Sequence, residues 1–127
     1  MLEIHPVYTS YEREEYTKPF GIAPEKDCFV IAAFEAGKFI GTAYGKVTPP
    51  NADIYLMSLL PGISDDVARF LLGKAALNFI DLNGGINVTY TGEDTNLAKI
   101  LGFSSKTEVP TLYLTGYFDG EHADNKK

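Results

Sequence analysis

Ser64-Asp65-Asp66-Val67-Ala68-Arg69 is the stretch of this chain whose residue types and setting could do the most chemistry. It follows Leu59-Leu60-Pro61-Gly62-Ile63, where an apolar run meets a turn, and it opens a long apolar segment. A strand–turn–helix junction of this kind is a natural seat for a phosphate. The first N–H groups of the helix point outward and its dipole favours an anion. Here the junction carries two aspartates in place of glycines, and one cation, Arg69. Ser64 suits an N-cap, and Asp65 and Asp66 suit a first helical turn, so capping alone would account for all three.

Other reactive side chains are sparse. Cys28 is the only cysteine, so no internal disulfide forms, and its place between Asp27 and Phe29 reads as a small buried hydrophobe. His5 precedes a proline and His122 lies near the C-terminus. Neither has a partner at metal-ligand spacing, so no metal is expected. Gly92-Glu93-Asp94 is an acidic turn without the spacing of a calcium loop.

The elements that must position these residues follow from apolar periodicity. Residues 2–7 alternate as a short strand, with Pro6 placing it at an edge or a strand end. Thr9 and Glu12 form a capping box for a helix over 11–18, which Pro19 and Gly21 end. Residues 28–34 and 39–47 flank Glu35-Ala36-Gly37-Lys38 as a hairpin, and Gly41 and Gly45 in its second arm imply a bulge or close packing. Residues 54–60 read as a central strand covered on both faces. The helix over 64–82 is apolar around most of its circumference and stops at Asn83-Gly84-Gly85. A strand over 86–91, a short helix ending at Leu101-Gly102 and a strand over 111–118 complete the order β-α-β-β-β-α-β-α-β. Only the step from 54–60 through the long helix to 86–91 can be a parallel crossover, so the fold class is α/β with a mixed sheet and one central parallel pair.

At 127 residues and 45% apolar composition the chain has the makings of a real core. One domain is expected over 1–118, with residues 119–127 a polar, disordered tail. The net charge of −6 argues against nucleic acid and anionic membrane as partners and favours amines or basic peptides. No basic region precedes an apolar run at the N-terminus, and no apolar stretch reaches membrane-spanning length, so a cytoplasmic protein is expected.

Four stretches together resemble the GNAT superfamily, the Gcn5-related N-acetyltransferases. The hairpin 29–41 with Gly37-Lys38-Phe39-Ile40-Gly41 is similar to the family's second and third strands. Ile54-Tyr55-Leu56-Met57-Ser58-Leu59-Leu60-Pro61 is similar to its fourth strand. Phe70-Leu71-Leu72-Gly73-Lys74-Ala75-Ala76-Leu77-Asn78-Phe79-Ile80 is similar to its central helix, and Asn96-Leu97-Ala98-Lys99-Ile100-Leu101-Gly102-Phe103 to its late helix end. The resemblance covers residues 2–118 and implies an acyl-CoA-dependent N-acetyltransferase with an amine acceptor, either a small molecule or a peptide.

The departures from the family pattern bear on function. The family's phosphate loop reads Arg/Gln-x-x-Gly-x-Gly/Ala, whereas 64–69 supplies aspartates there. Ala98 stands where many members place a tyrosine general acid. The segment between the first two strands has room for one helix where the family usually has two. By this resemblance the cofactor-binding candidates are Leu59, Leu60, Ser64, Val67, Ala68 and Arg69, with acetyl-CoA expected to bind weakly or not at all. Acyl transfer to an amine needs a base and an acid. The catalytic candidates are Asp53 as base and Tyr90 as acid, with Glu35 and Tyr113 behind them. The alternative is a GNAT-like module that binds a protein or small ligand without coenzyme A or catalysis, as a monomer or a homodimer.

Overall fold

A computed structural model describes residues 1–118; the tail expected at 119–127 lies outside the described residues. Its order is β1 (Leu2–Val7), α1 (Ser10–Thr17), a 3-10 turn (Lys18–Phe20), β2 (Phe29–Glu35), β3 (Lys38–Thr48), β4 (Asn51–Leu59), α2 (Asp66–Leu82), β5 (Asn87–Tyr90), α3 (Thr95–Leu101) and β6 (Thr111–Tyr113). The six strands form one sheet in sequence order. All neighbours are antiparallel except β4 and β5, which run parallel from Asn51↔Asn87 to Ile54↔Tyr90. That is the mixed sheet with one parallel pair that the element order implies.

Local chemistry explains the element ends. The Glu12 N–H donates to Thr9 Oγ1, and the Thr9 hydroxyl donates to the Glu12 carboxylate, so the capping box at α1 is complete. Ala36 and Gly37 both take positive φ, the geometry a two-residue hairpin turn needs. Leu60-Pro61-Gly62-Ile63 closes a turn in which the Ile63 N–H donates to the Leu60 carbonyl and Gly62 takes φ +88.

α2 and α3 cover one face of the sheet. Ile31, Ala43, Ile54, Met57, Leu72, Ala76, Leu77 and Ile80 form the core there, joined by Leu97 and Leu101 of α3. α1 covers the other face, but only over β2 and β3. There Val7, Cys28, Val30, Ala32 and Tyr44 are buried, and the buried Thr42 hydroxyl donates to the Tyr16 carbonyl at 2.6 Å.

Four expectations are corrected. β4 is covered on one face only, because α1 stops short of it. Tyr55 is exposed, and Asp53, Leu56 and Ser58 are half-buried on the open face. The N-cap of α2 is Asp65, whose carboxylate accepts from the Ala68 N–H, and not Ser64. α2 is not covered all round: Val67, Leu71 and Leu82 are exposed although α3 packs against it. The last strand ends at Tyr113, because the chain turns at 114–117 through Gly116, at φ +77.

The glycines of β3 are close-packing sites. A Cβ on Gly45 would lie against the Asp53 carbonyl oxygen and 2.8 Å from Phe29 Cζ. Gly45→Ala is therefore expected to cost about 1–3 kcal/mol, more than the unfolded-state gain of a Gly→Ala change, and to lower the melting temperature by several degrees. Calorimetry checks this; an unchanged melting temperature contradicts it.

Candidate functional site

The pairing of β4 with β5 ends early. The last contact is the Thr91 N–H donating to the Ile54 carbonyl at 3.0 Å. β4 continues for five more residues, Tyr55 to Leu59, paired on its other side with β3. Its free edge opens into a cavity of about 600 Å³, lined on one wall by Tyr55, Leu56, Met57 and Ser58 and on the other by Tyr90, Thr91, Gly92, Glu93 and Asp94. Phe20 and Ile22 close it from the side of α1.

A bulge shapes this edge. Tyr44 pairs with Leu56 and Gly45 with Ile54, which leaves Tyr55 as the extra residue of β4. The extra residue flips the alternation. Ala52 and Ile54 before it, and Met57 and Leu59 after it, all belong to the α2-facing core. The apolar spacing 52, 54, 57, 59 is the signal of this bulge in the sequence.

Tyr90 sits at the mouth of the parting and lines the cavity, yet is 1% exposed. Its ring packs beside Phe103 at 6.1 Å, and its hydroxyl accepts from the Asp94 N–H at 2.9 Å. Burial raises its pKa. Tyr90→Phe leaves the Asp94 N–H without this partner. The expected loss of stability is about 1–2 kcal/mol, read from denaturant midpoints. A midpoint equal to that of the parent protein would show that water replaces the hydroxyl.

Asp53 is placed differently. It lies on β4 before the parting and outside the cavity lining, and its carboxylate accepts from the Thr89 hydroxyl of the paired strand. Sequence reading misses Thr89, because only the parallel register brings it beside Asp53. Tyr113 is exposed on β6, and Glu35 pairs with the N-terminal ammonium at the far hairpin.

The residues singled out at the junction group around the start of α2. Leu59 is buried, Leu60 donates its N–H to the Ile40 carbonyl, Ser64 and Val67 are exposed, and Ala68 is buried. Arg69 is tied on both sides. Its Nη1 lies 2.6 Å from Asp94 Oδ2 and its Nη2 lies 3.5 Å from Asp66 Oδ1. Asp94 also caps α3, accepting from the Leu97 N–H at 3.0 Å. Ala98 is buried in the core and carries no proton to give.

One group of possible metal ligands stands among the described residues, Glu25, Asp27 and Cys28, with ligand atoms within 4.8 Å of one another. The Lys46 ammonium holds Asp27 at 2.9 Å, and burial pushes the Cys28 thiol up. Both oppose metal binding, which needs free carboxylate and thiolate. No helix among the described residues is long and apolar enough to cross a membrane.

The architecture is the GNAT fold: a mixed sheet whose central parallel pair parts beside a helix start. Solved structures of that fold superpose on this chain along most of its length. A GNAT-family protein from Desulfovibrio desulfuricans matches with TM-score 0.69 at 14% identity, over 90% of this chain and 99% of that one. A GNAT-family acetyltransferase from Brucella melitensis, in complex with acetyl-CoA, matches with TM-score 0.65 at 14% identity, over 89% and 88%. The N-acetyltransferase PaiA from Thermoplasma acidophilum, in complex with coenzyme A, matches with TM-score 0.63 at 14% identity, over 87% and 96%. No protein-family model matches the chain, and no curated protein matches it in sequence.

The fit to coenzyme A is divided. The free edge of Tyr55–Leu59 offers backbone donors and acceptors to an extended amide chain, so this part fits a pantetheine arm. The start of α2 as it stands does not fit a pyrophosphate. Asp65 already takes the Ala68 N–H, Asp66 adds charge to the first turn, and Arg69 is engaged by two carboxylates.

Proposed function

We propose that the protein is an acyl-CoA-dependent N-acyltransferase acting on an amine, either a small molecule or a peptide. The observation that carries this reading is the parting of β4 from β5, which leaves five residues of open strand edge along a cavity of about 600 Å³. A coenzyme A thioester, when bound, supplies the acyl group. The backbone of Tyr55–Leu59 and Leu60 would line its arm, and Ser64, Val67, Ala68 and Arg69 would meet its phosphates only once the Asp65 cap and the carboxylates on Arg69 give way. Tyr90 is the proton donor. Its hydroxyl oxygen accepts from the Asp94 N–H while its own hydrogen stays available, and like any tyrosine hydroxyl it is protonated at neutral pH. Asp53 serves as base only through intervening water, since it lies short of the cavity. Glu93, exposed at the cavity wall, favours a cationic acceptor.

A second reading has its own observation. The capping of Ala68 by Asp65 and the engagement of Arg69 by Asp94 leave the anion seat filled from within. On that reading the same fold binds a protein or small ligand without coenzyme A, as a monomer or a homodimer. Calorimetry and thermal shift with coenzyme A and acetyl-CoA, at physiological salt, decide between them. Saturable binding, however weak, supports the acyltransferase. No heat and no shift at millimolar ligand supports the second reading.

A further inference from the structure

We infer that a cavity beyond the end of β1 is a second ligand site, built around Arg13, for a small carboxylate with an apolar body. It shares no residue with the cleft between β4 and β5. The inference therefore stands apart from the acyl-CoA reading.

β1 ends where Val7 pairs with Val30, and the chain turns off there into α1. The space beyond it is a cavity of about 390 Å³. That volume falls within the range of small-molecule sites. Val7, Cys28, Val47 and Phe79 give it apolar walls, and the Phe79 ring packs on Phe29 at 5.0 Å. An apolar body leaves water on entering such walls, which a bare inorganic anion does not.

The charge in this recess runs against the rest of the chain, whose net charge is −6. α1 reads Ser10-Tyr11-Glu12-Arg13-Glu14-Glu15-Tyr16-Thr17, with Arg13 its one cation. Arg13 pairs with none of those glutamates, nor with any other carboxylate among the described residues. It is half-buried against the cavity instead, and its Nη2 donates to the Glu25 carbonyl at 2.6 Å. That bond holds the guanidinium in place and leaves the rest of its planar fork of donors to accept a carboxylate.

Lys26 lines the same cavity and adds a second positive charge. Asp27 is the acid in the lining, and the Lys46 ammonium matches it at 2.9 Å. Glu25 stands outside the lining, with its carboxylate 3.9 Å from Cys28 Sγ. Arg13, Lys26 and Lys46 thus outweigh Asp27 and Glu25, so the recess favours an anion over an amine.

The test is a titration of the isotope-labelled full chain with octanoate, followed by backbone amide shifts. Octanoate is expected to shift the amides of Val7, Cys28 and Phe29 and to saturate. Acetate lacks the apolar body and 1-octanol lacks the charge, so each is expected to bind at least about tenfold more weakly. Arg13→Gln is expected to weaken octanoate about tenfold, as befits the loss of one partly buried charge-assisted pair. Arg13→Lys keeps the charge without the fork and is expected to weaken it by less, which covers a failure of the Gln variant to fold. Val47→Phe fills the cavity and is expected to abolish the shifts.

No saturable shift at millimolar octanoate overturns the site, and so do shifts confined to Tyr55–Leu59 or parent-like binding by Val47→Phe. Binding of 1-octanol as tight as that of octanoate, or octanoate affinity unchanged in both Arg13 variants, overturns the carboxylate assignment. Coenzyme A titrated into the same sample reads the acyl-CoA proposal separately, through the amides of Tyr55–Leu59.

Discussion

Asp65→Gly with Asp66→Lys is expected to tighten coenzyme A binding tenfold or more over the parent protein. Each carboxylate near a phosphate costs about 1 kcal/mol in a water-like dielectric and several times that where water is partly excluded. Removing Asp65 also frees the Ala68 N–H it now occupies. Adding a lysine at the first helical position turns repulsion into attraction. The gain should be larger at low salt, where screening is weak. The cost to α2 is modest. Glycine is a tolerable N-cap, at a few tenths of a kcal/mol, and losing a first-turn carboxylate costs roughly 0.3–1 kcal/mol. Tight binding by the unmodified protein at physiological salt would refute this account of the loop.

Deleting Tyr55 is expected to abolish folding, whereas Tyr55→Ala is expected to be tolerated. Tyr55 is the inserted residue of the β4 bulge, and its side chain is 37% exposed. Without it, strict alternation would send Met57 and Leu59 to the open face and turn Leu56 and Ser58 toward α2. Met57 and Leu59 are now 1% and 8% exposed. Losing two such side chains from a core costs about 2–5 kcal/mol each, which is comparable to the whole stability of a domain. Truncation at Cβ keeps the backbone count and removes only half-solvated surface. Soluble yield and thermal melts of the two variants make the comparison. A folded deletion variant would mean that the chain can re-register through the turn at Pro61-Gly62.

The order of elements was legible because each one carries a local signal. The capping box at Thr9 and Glu12, the hairpin turn at Ala36-Gly37 and the stop after Leu82 all follow from short-range chemistry, and the structure bears out each of them. The parallel pair followed from topology, since one long apolar helix separates two apolar strands. The start of α2 was less legible. Ser64, Asp65 and Asp66 are all good caps, and only the backbone at Asp65, extended at φ −147 and ψ 96, selects among them. The cleft was not legible as a cavity, because it depends on how far α1 reaches across the sheet. Arg69 and Asp94 lie 25 residues apart and meet only because two helices start at the same end of the parting strands. Nothing in the spacing of either residue announces the other.

The two margins of the sheet are unequal but both poor starting points for another chain. At one margin β1 is six residues long, and its Pro6 lacks an N–H to offer while Glu3 and His5 stand exposed. At the other, β6 is three residues long, and Ser104 already bridges Thr111 from outside. Growth by added strands has little template at these two margins, which leaves the inner edge of Tyr55–Leu59 as the stretch where another extended chain can pair.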